Sequence, residues 1–190
     1  ARLLSKNQPE LDFGIDLVAY CLEEPPFFTT KEMGSYIHAK SVHDAGVDVL
    51  GMICYEMIGY FSDEPGSQSY PIPDWALIYP DRANFIVVVG VEQSKEFNGT
   101  IHSLMSKKSG IDVQKIVFPD WSGLAGRSDQ RNYWEFGYDA VMINDTSFIR
   151  NPNYHLETDT IETLDFDKMT EVVNCCYNAA TKLVSRKKRA

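Results

Sequence analysis

Five apolar runs, separated by segments of helical spacing and by polar loops, constrain the fold of this chain more than any other feature. The runs cover residues 13–21, 47–57, 85–91, 113–118 and 139–144. They are apolar along most of their length, which indicates strands of a sheet that is covered on both faces. Helical spacing predicts helices over 33–45, 95–108, 132–136 and 165–186, and residues 1–6 resemble the end of a helix. The pattern predicts an α/β fold with a mixed, largely parallel sheet and helices on both faces.

Length and composition fit a single domain over residues 1–190. Hydrophobic residues make up 44% of the chain and charged residues 24%, which excludes a disordered protein. The formal net charge of −9 repels phosphate backbones, so we expect no nucleic-acid partner. No apolar stretch reaches the roughly 20 residues that a membrane span needs, so we expect no membrane partner. The four cysteines lack the spacing of a metal site, which favours structural thiols.

Acidic residues and one histidine follow the ends of three predicted strands. These residues are Glu23, Glu24, Glu56, Asp145, His155 and Asp159. Ligand sites of open α/β sheets lie beyond the carboxyl ends of the strands, so we expect these side chains to converge there. Carboxylates that lie close together repel one another unless a cation neutralises them, and carboxylate with imidazole is a donor set for zinc. In an adjacent Glu-Glu pair, one side chain can bind a metal while the other takes a proton from water.

Each of these residues also has a simpler interpretation when it is taken alone. A Glu-Glu pair in a loop is most often two solvated charges. A loop histidine such as His155 is most often held by a structural hydrogen bond. The prediction of a site therefore depends on the convergence of the whole set.

Several segments of the chain resemble, in order, the M28 family of zinc peptidases, which are relatives of the bacterial leucyl aminopeptidases. The segments are LEEPPFF at 22–28 with MGS at 33–35, YEMIGY at 55–60, SD at 128–129, FGYDAVMI at 136–143, DT at 145–146, RNPNYH at 150–155 and DT at 159–160. The resemblance spans nearly the whole chain. It implies the α/β fold of zinc-dependent exopeptidases and a peptide substrate.

The resemblance also implies roles for particular residues. Glu23 would be the general base that activates water. Glu24 and His155 would bind one zinc ion. Glu56 would bind a second zinc ion, at a position where many relatives have Asp.

Two further acids match the family more loosely. Asp159 would support the metal ligands from behind. Asp129 lies in the Ser-Asp segment near the site, and the next residue is Gln130 where the family usually has His.

The family's complete site holds two zinc ions and has two further ligands, a His in a His-x-Asp strand end and an Asp that bridges both metals. Both precede the Glu-Glu pair in the family, and this chain has no match to them. The resemblance therefore implies a fragment that lacks the N-terminal part of the catalytic domain. We expect this chain alone to bind zinc weakly or not at all and to be inactive. We also expect exposed sheet edges that form a homodimer.

The sequence thus favours zinc-dependent hydrolysis of peptide bonds that releases N-terminal residues. Two alternatives remain open. One is a glutaminyl-cyclase-like acyltransferase, which shares the fold and works with one zinc ion. The other is a non-catalytic binding domain on the peptidase scaffold.

Overall fold

The computed structural model describes residues 1–107, 109–120 and 123–184 and contains a four-stranded mixed sheet. The strands are β1 (Met52–Tyr55), β2 (Phe85–Val91), β3 (Asp112–Phe118) and β4 (Ala140–Asn144), in the spatial order β1-β4-β2-β3. Strands β1 and β4 are parallel, as are β2 and β3, whereas β2 and β4 are antiparallel. The sheet is therefore mixed and mostly parallel, as predicted.

Five α-helices accompany the sheet. They are α1 (Arg2–Asn7), α2 (Gly34–Asp44), α3 (Lys95–Ser106), α4 (Gln130–Glu135) and α5 (Phe166–Lys182). Helices α3 and α5 cover one face, where Ile86, Val88 and Ile143 pack against residues of both helices. Helices α2 and α4 lie on the other face, where Trp134 packs with Ala140. The predicted α/β fold with helices on both faces is thus confirmed, and none of the helices in the described ranges is long and apolar enough to cross a membrane.

The central strand β2 shows why these runs form strands. All seven of its residues are buried, because alternate side chains enter the two apolar layers on opposite faces of the sheet. Val88 faces α3 and α5, while Val87 and Val89 lie on the opposite face. This opposite face is only partly covered by α2 and α4, and the uncovered part forms the floor of a cavity.

The predicted strand over 13–21 is wrong. This segment forms no ladder with the described strands, and Leu17 and Val18 are 59% and 43% exposed. Tyr20 anchors it instead, because its hydroxyl lies 2.7 Å from the Tyr133 hydroxyl of α4. Cys21, expected to be buried in this strand, is exposed. An apolar run becomes a strand only where a neighbouring strand supplies backbone partners.

The predicted strand over 47–57 is shorter than expected. Strand β1 pairs only with β4, and the register sets Met52 opposite Ala140. Since β4 begins at Ala140, residues 47–51 have no ladder partner there. The strand ends at Tyr55, which leaves Glu56 just beyond its carboxyl end.

The last predicted helix begins where the sequence indicates. The Asp165 side chain accepts a hydrogen bond from the backbone N–H of Lys168 at 2.9 Å, which satisfies a free donor of the first turn of α5. The predicted helix ends at Lys108 and Arg186, and the start of the polar loop at Trp121, lie outside the described residues.

Candidate active site

A cavity of about 520 Å³ lies beyond the carboxyl ends of β1 and β4. Its polar wall contains five of the residues that the sequence singled out, which are Glu23, Glu24, Glu56, His155 and Asp159. They come from the loop before α2, from the end of β1 and from the loop after β4. The structure therefore brings together side chains that are separated by more than 130 positions in the sequence.

Glu24 and His155 are two possible metal donors that lie side by side in this wall. His155 Nε2 lies 3.6 Å from Glu24 Oε1, and both side chains are exposed to the cavity or solvent. The ring of Tyr154 stacks on the imidazole, with centroids 3.9 Å apart and planes 13° from parallel. This stack holds His155 toward the Glu-Glu segment.

Glu56 is oriented from behind by Ser128. The Ser128 hydroxyl, fully buried, donates a hydrogen bond of 2.9 Å to Glu56 Oε2. Burial raises the pKa of the Glu56 carboxyl, and the bond from Ser128 opposes this rise. The sequence predicted Glu56 as a site residue but gave no signal for this hydrogen bond, because the partners lie 72 positions apart.

Glu23 has the most perturbed carboxyl group of the pocket. Burial raises its pKa to about 7, and the negative charges of Glu56 and Glu24 add to the rise. A group that titrates near neutral pH can both take up and release a proton at working pH. The raised pKa of Glu23 is therefore compatible with the role of general base that the resemblance implied.

The structure places the two remaining acids, Asp159 and Asp129, differently with respect to the cavity, since Asp159 lines it and Asp129 does not. Asp159 Oδ1 accepts a hydrogen bond of 3.4 Å from the Asn151 amide, which links the two ends of the loop that carries His155. Asp129 does not line the cavity, but its charge raises the pKa of Glu23 from behind. Gln130 is fully buried and donates a hydrogen bond of 2.8 Å to the Ala125 carbonyl, so it braces its own loop.

Asp145 does not join the cluster of the pocket, contrary to the sequence expectation. It is buried, and its carboxylate accepts backbone hydrogen bonds from Gly59 at 3.1 Å, Tyr60 at 2.8 Å and Ser147 at 2.9 Å. These bonds and the positive charge of Arg150 stabilise the carboxylate, so Asp145 needs no bound metal ion. Asp145 therefore fastens the loop after Glu56 to the loop that leads to His155.

Backbone strain is concentrated around the pocket. Among the described residues, seven non-glycine residues have positive φ, and five of them line the pocket or adjoin a residue that does: Leu22, Met57, Thr146, Ser147 and His155. A left-handed residue with a side chain costs about 1–2 kcal/mol. Such strain is typical of functional sites, where the surrounding contacts hold an unfavourable geometry.

The other half of the cavity is apolar. Val87, Val89 and Met142 form its floor on the open face of the sheet. Trp75 and Tyr70, from the long irregular segment between β1 and β2, form a wall. The pocket thus joins a cluster of carboxylates to a surface that suits an apolar side chain.

The described residues do not complete a zinc site. Among them, no group of three or more His, Cys, Asp or Glu side chains is placed to hold a metal ion. Glu24 and His155 offer two donors, whereas catalytic zinc uses three protein ligands. Carboxylate and imidazole are suitable ligands for zinc, but too few of them lie close enough together to bind one zinc ion.

The fold and the pocket together define an α/β domain with a cluster of carboxylates gathered beyond the strand ends. The sequence profile of Peptidase family M28 matches residues 1–180, so this chain belongs to peptidase family M28. The uncharacterized protein YfbL of Escherichia coli (strain K12) is 42% identical over 174 residues, which cover 92% of this chain and 52% of YfbL.

Solved aminopeptidases share the fold. The LapA aminopeptidase of Legionella pneumophila superposes with a TM-score of 0.55 at 19% identity, covering 80% of this chain and 37% of that protein. An aminopeptidase from Aneurinibacillus sp. strain AM-1 gives a TM-score of 0.50 at 18% identity, covering 77% and 29%. The chain thus spans about half the length of the relative YfbL and about a third of these structures.

Proposed function

We propose that this pocket hydrolyses peptide bonds and releases N-terminal residues in a zinc-dependent reaction. The observation that carries the proposal is the convergence of Glu23, Glu24, Glu56 and His155 on one cavity with an apolar floor. Membership of a peptidase family gives the reaction class, and the pocket suggests which residues perform it.

Each residue has a role that follows from its surroundings. Glu23, half-buried among other carboxylates, takes a proton from the attacking water and later gives it to the leaving amine. The acidic wall attracts the positively charged amino terminus of the substrate. The floor of Val87, Val89 and Met142 accepts the side chain of the residue that is released.

Zinc is part of this proposal as a cofactor, with Glu24, Glu56 and His155 as donors. The described residues alone supply fewer protein ligands than a catalytic zinc ion needs. We predict that this chain alone binds zinc weakly and does not turn over peptides.

The proposal is tested on the full-length protein that contains this chain. Release of leucine from Leu-Gly-amide is measured with zinc and with a chelator. We expect zinc-dependent release in the wild type and a loss of about a hundredfold or more in Glu23→Gln. Glu157→Gln, on the same loop as His155 but outside the pocket wall, is the matched control and keeps full activity.

Product analysis separates the alternatives. An N-terminal glutamine substrate yields free glutamine if the protein is a peptidase, and cyclised pyroglutamate if it is an acyltransferase. Zinc content near zero in an active-site-intact protein, together with peptide binding and no product, would favour a binding domain instead.

A further inference from the structure

Among the described residues, the pocket is lined by one arginine, and no described carboxylate forms an ion pair with it. Arg127 is the only Lys or Arg among the described residues that line the cavity, whose wall also carries Glu23, Glu24, Glu56 and Asp159. The ion pairs formed within the described part of the chain do not include Arg127. A protein with a net charge of −9 therefore leaves a cation unpaired in its candidate active site.

The position of Arg127 is fixed by aromatic packing. Its guanidinium carbon lies 5.1 Å from the centre of the Phe148 ring. That ring lies 5.7 Å from the ring of Tyr154, which stacks on His155. A guanidinium over an aromatic face keeps its N–H groups free at the edge of its plane. Arg127 thus lies on the side of the pocket that carries His155. None of its N–H groups donates a hydrogen bond to another described residue.

The neighbours in sequence add a second constraint. Ser128 is buried and bonds Glu56, so the backbone that carries Arg127 is tied directly to the carboxylate cluster. Arg127 itself is exposed, whereas the side chain of Arg150 is buried and donates to Gln68 and to the Phe85 carbonyl. Arg127 differs because its charge meets only the Phe148 ring and the Tyr154 side chain among the described residues, and no described carboxylate pairs with it.

We infer that Arg127 is a specificity-determining residue that pairs with a carboxylate of the substrate. This inference deepens the proposed function, because it gives the pocket a preference for anionic peptides. The planar guanidinium matches a carboxylate with two parallel hydrogen bonds. The carboxylate has two sources, which are the carboxyl terminus of a short peptide and an acidic side chain.

Binding is measured by isothermal titration calorimetry in the presence of a chelator, so that the readout does not depend on turnover. Leu-Gly against Leu-Gly-amide tests the terminal carboxylate. Glu-Ala-amide against Gln-Ala-amide tests the side chain. Each pair differs in one negative charge and hardly in shape.

We expect the wild type to bind the charged member of one pair about fivefold more tightly than the neutral member. Arg127→Gln should remove this difference and leave the affinity for the neutral peptide unchanged, while Arg127→Lys should retain part of it. Arg82→Gln is the matched control, because Arg82 is exposed and lies outside the pocket wall.

Equal affinities within both pairs in the wild type would overturn the inference, and so would a preference that survives in Arg127→Gln. These results are distinct from failure of the proposed function, which is a lack of peptide hydrolysis by the full-length protein with zinc. A preference that disappears in Arg127→Gln supports the inference even if no hydrolysis is seen.

Discussion

At the scale of single residues, the buried bond from Ser128 to Glu56 connects the interior to the pocket. Ser128→Ala should leave the Glu56 carboxylate without its buried donor and free it to rotate. Loss of a hydrogen bond that orients a metal-binding side chain costs about 10- to 100-fold in metal affinity or activity. We expect a fall of this size in kcat/KM of the full-length protein.

If Ser128 acts by orienting Glu56, Ser128→Ala should lower kcat/KM while the stability of the fold hardly changes. The midpoint of urea unfolding of Ser128→Ala should stay close to that of the wild type. Unchanged kcat/KM would show that Glu56 needs no support from Ser128.

The raised pKa of Glu23 predicts a pH-dependent stability. Its folded pKa of about 7 lies above the ordinary value of 4.5, so its contribution to stability is complete below about pH 4.5 and is lost as the pH rises through 7. Glu23→Gln, measured in chelator by urea unfolding, should therefore be more stable than the wild type at pH 8.5. The two proteins should converge near pH 4.5. A constant difference across this range would contradict the shift.

Sequence reasoning reached the charged residues of the pocket because strand ends and a Glu-Glu pair are visible in the chain. It misjudged Asp145, since nothing in the sequence shows that three backbone N–H groups surround this carboxylate. It also missed the unpaired state of Arg127, which depends on the folded positions of Phe148 and of the acids. Partners that lie far apart in sequence leave no local pattern.

At the scale of elements, the long segment 59–84 is fastened by Arg150. This buried guanidinium donates to Gln68 Oε1 at 2.9 Å, to the Phe85 carbonyl at 2.9 Å and to the Tyr60 carbonyl at 3.3 Å. It also packs over the Phe85 ring, 4.5 Å from its centre. One side chain thus joins the wall of the pocket to β2.

Arg150→Met should lower the free energy of unfolding by about 3 kcal/mol, because it leaves buried acceptors without donors. Urea unfolding measures this. Arg82→Met removes an exposed arginine whose one hydrogen bond within the described residues goes to the Asp63 carbonyl. Its effect should stay within about 0.5 kcal/mol, and an equal loss in both variants would contradict the role of Arg150.

The strands show where element prediction from sequence works and where it fails. Strand β2 has the predicted bounds, since its run of β-branched residues favours a strand and neighbouring strands pair with it on both sides. The run 13–21 is also largely apolar but has no ladder partner in the described structure. Strand formation is decided by the neighbouring strands, which composition does not specify.

At the scale of the whole molecule, β1 and β3 form the two edges of the sheet. Tyr55 of β1 is 49% exposed. Unpaired edges favour association with another strand, so we propose a homodimer through an edge. Size-exclusion chromatography should show twice the monomer mass, and Tyr55→Lys should shift the protein toward the monomer if β1 is the edge that pairs. Elution of the wild type as a monomer at all concentrations would contradict this proposal.

The central claim is that Glu23, Glu24, Glu56 and His155 act together on one substrate. Its most direct test is the rate of leucine release from Leu-Gly-amide by the full-length protein, compared among the wild type, Glu23→Gln and His155→Ala with and without zinc. The account predicts zinc-dependent release in the wild type and its near loss in both variants. Release that is independent of zinc, or that persists in both variants, would contradict it.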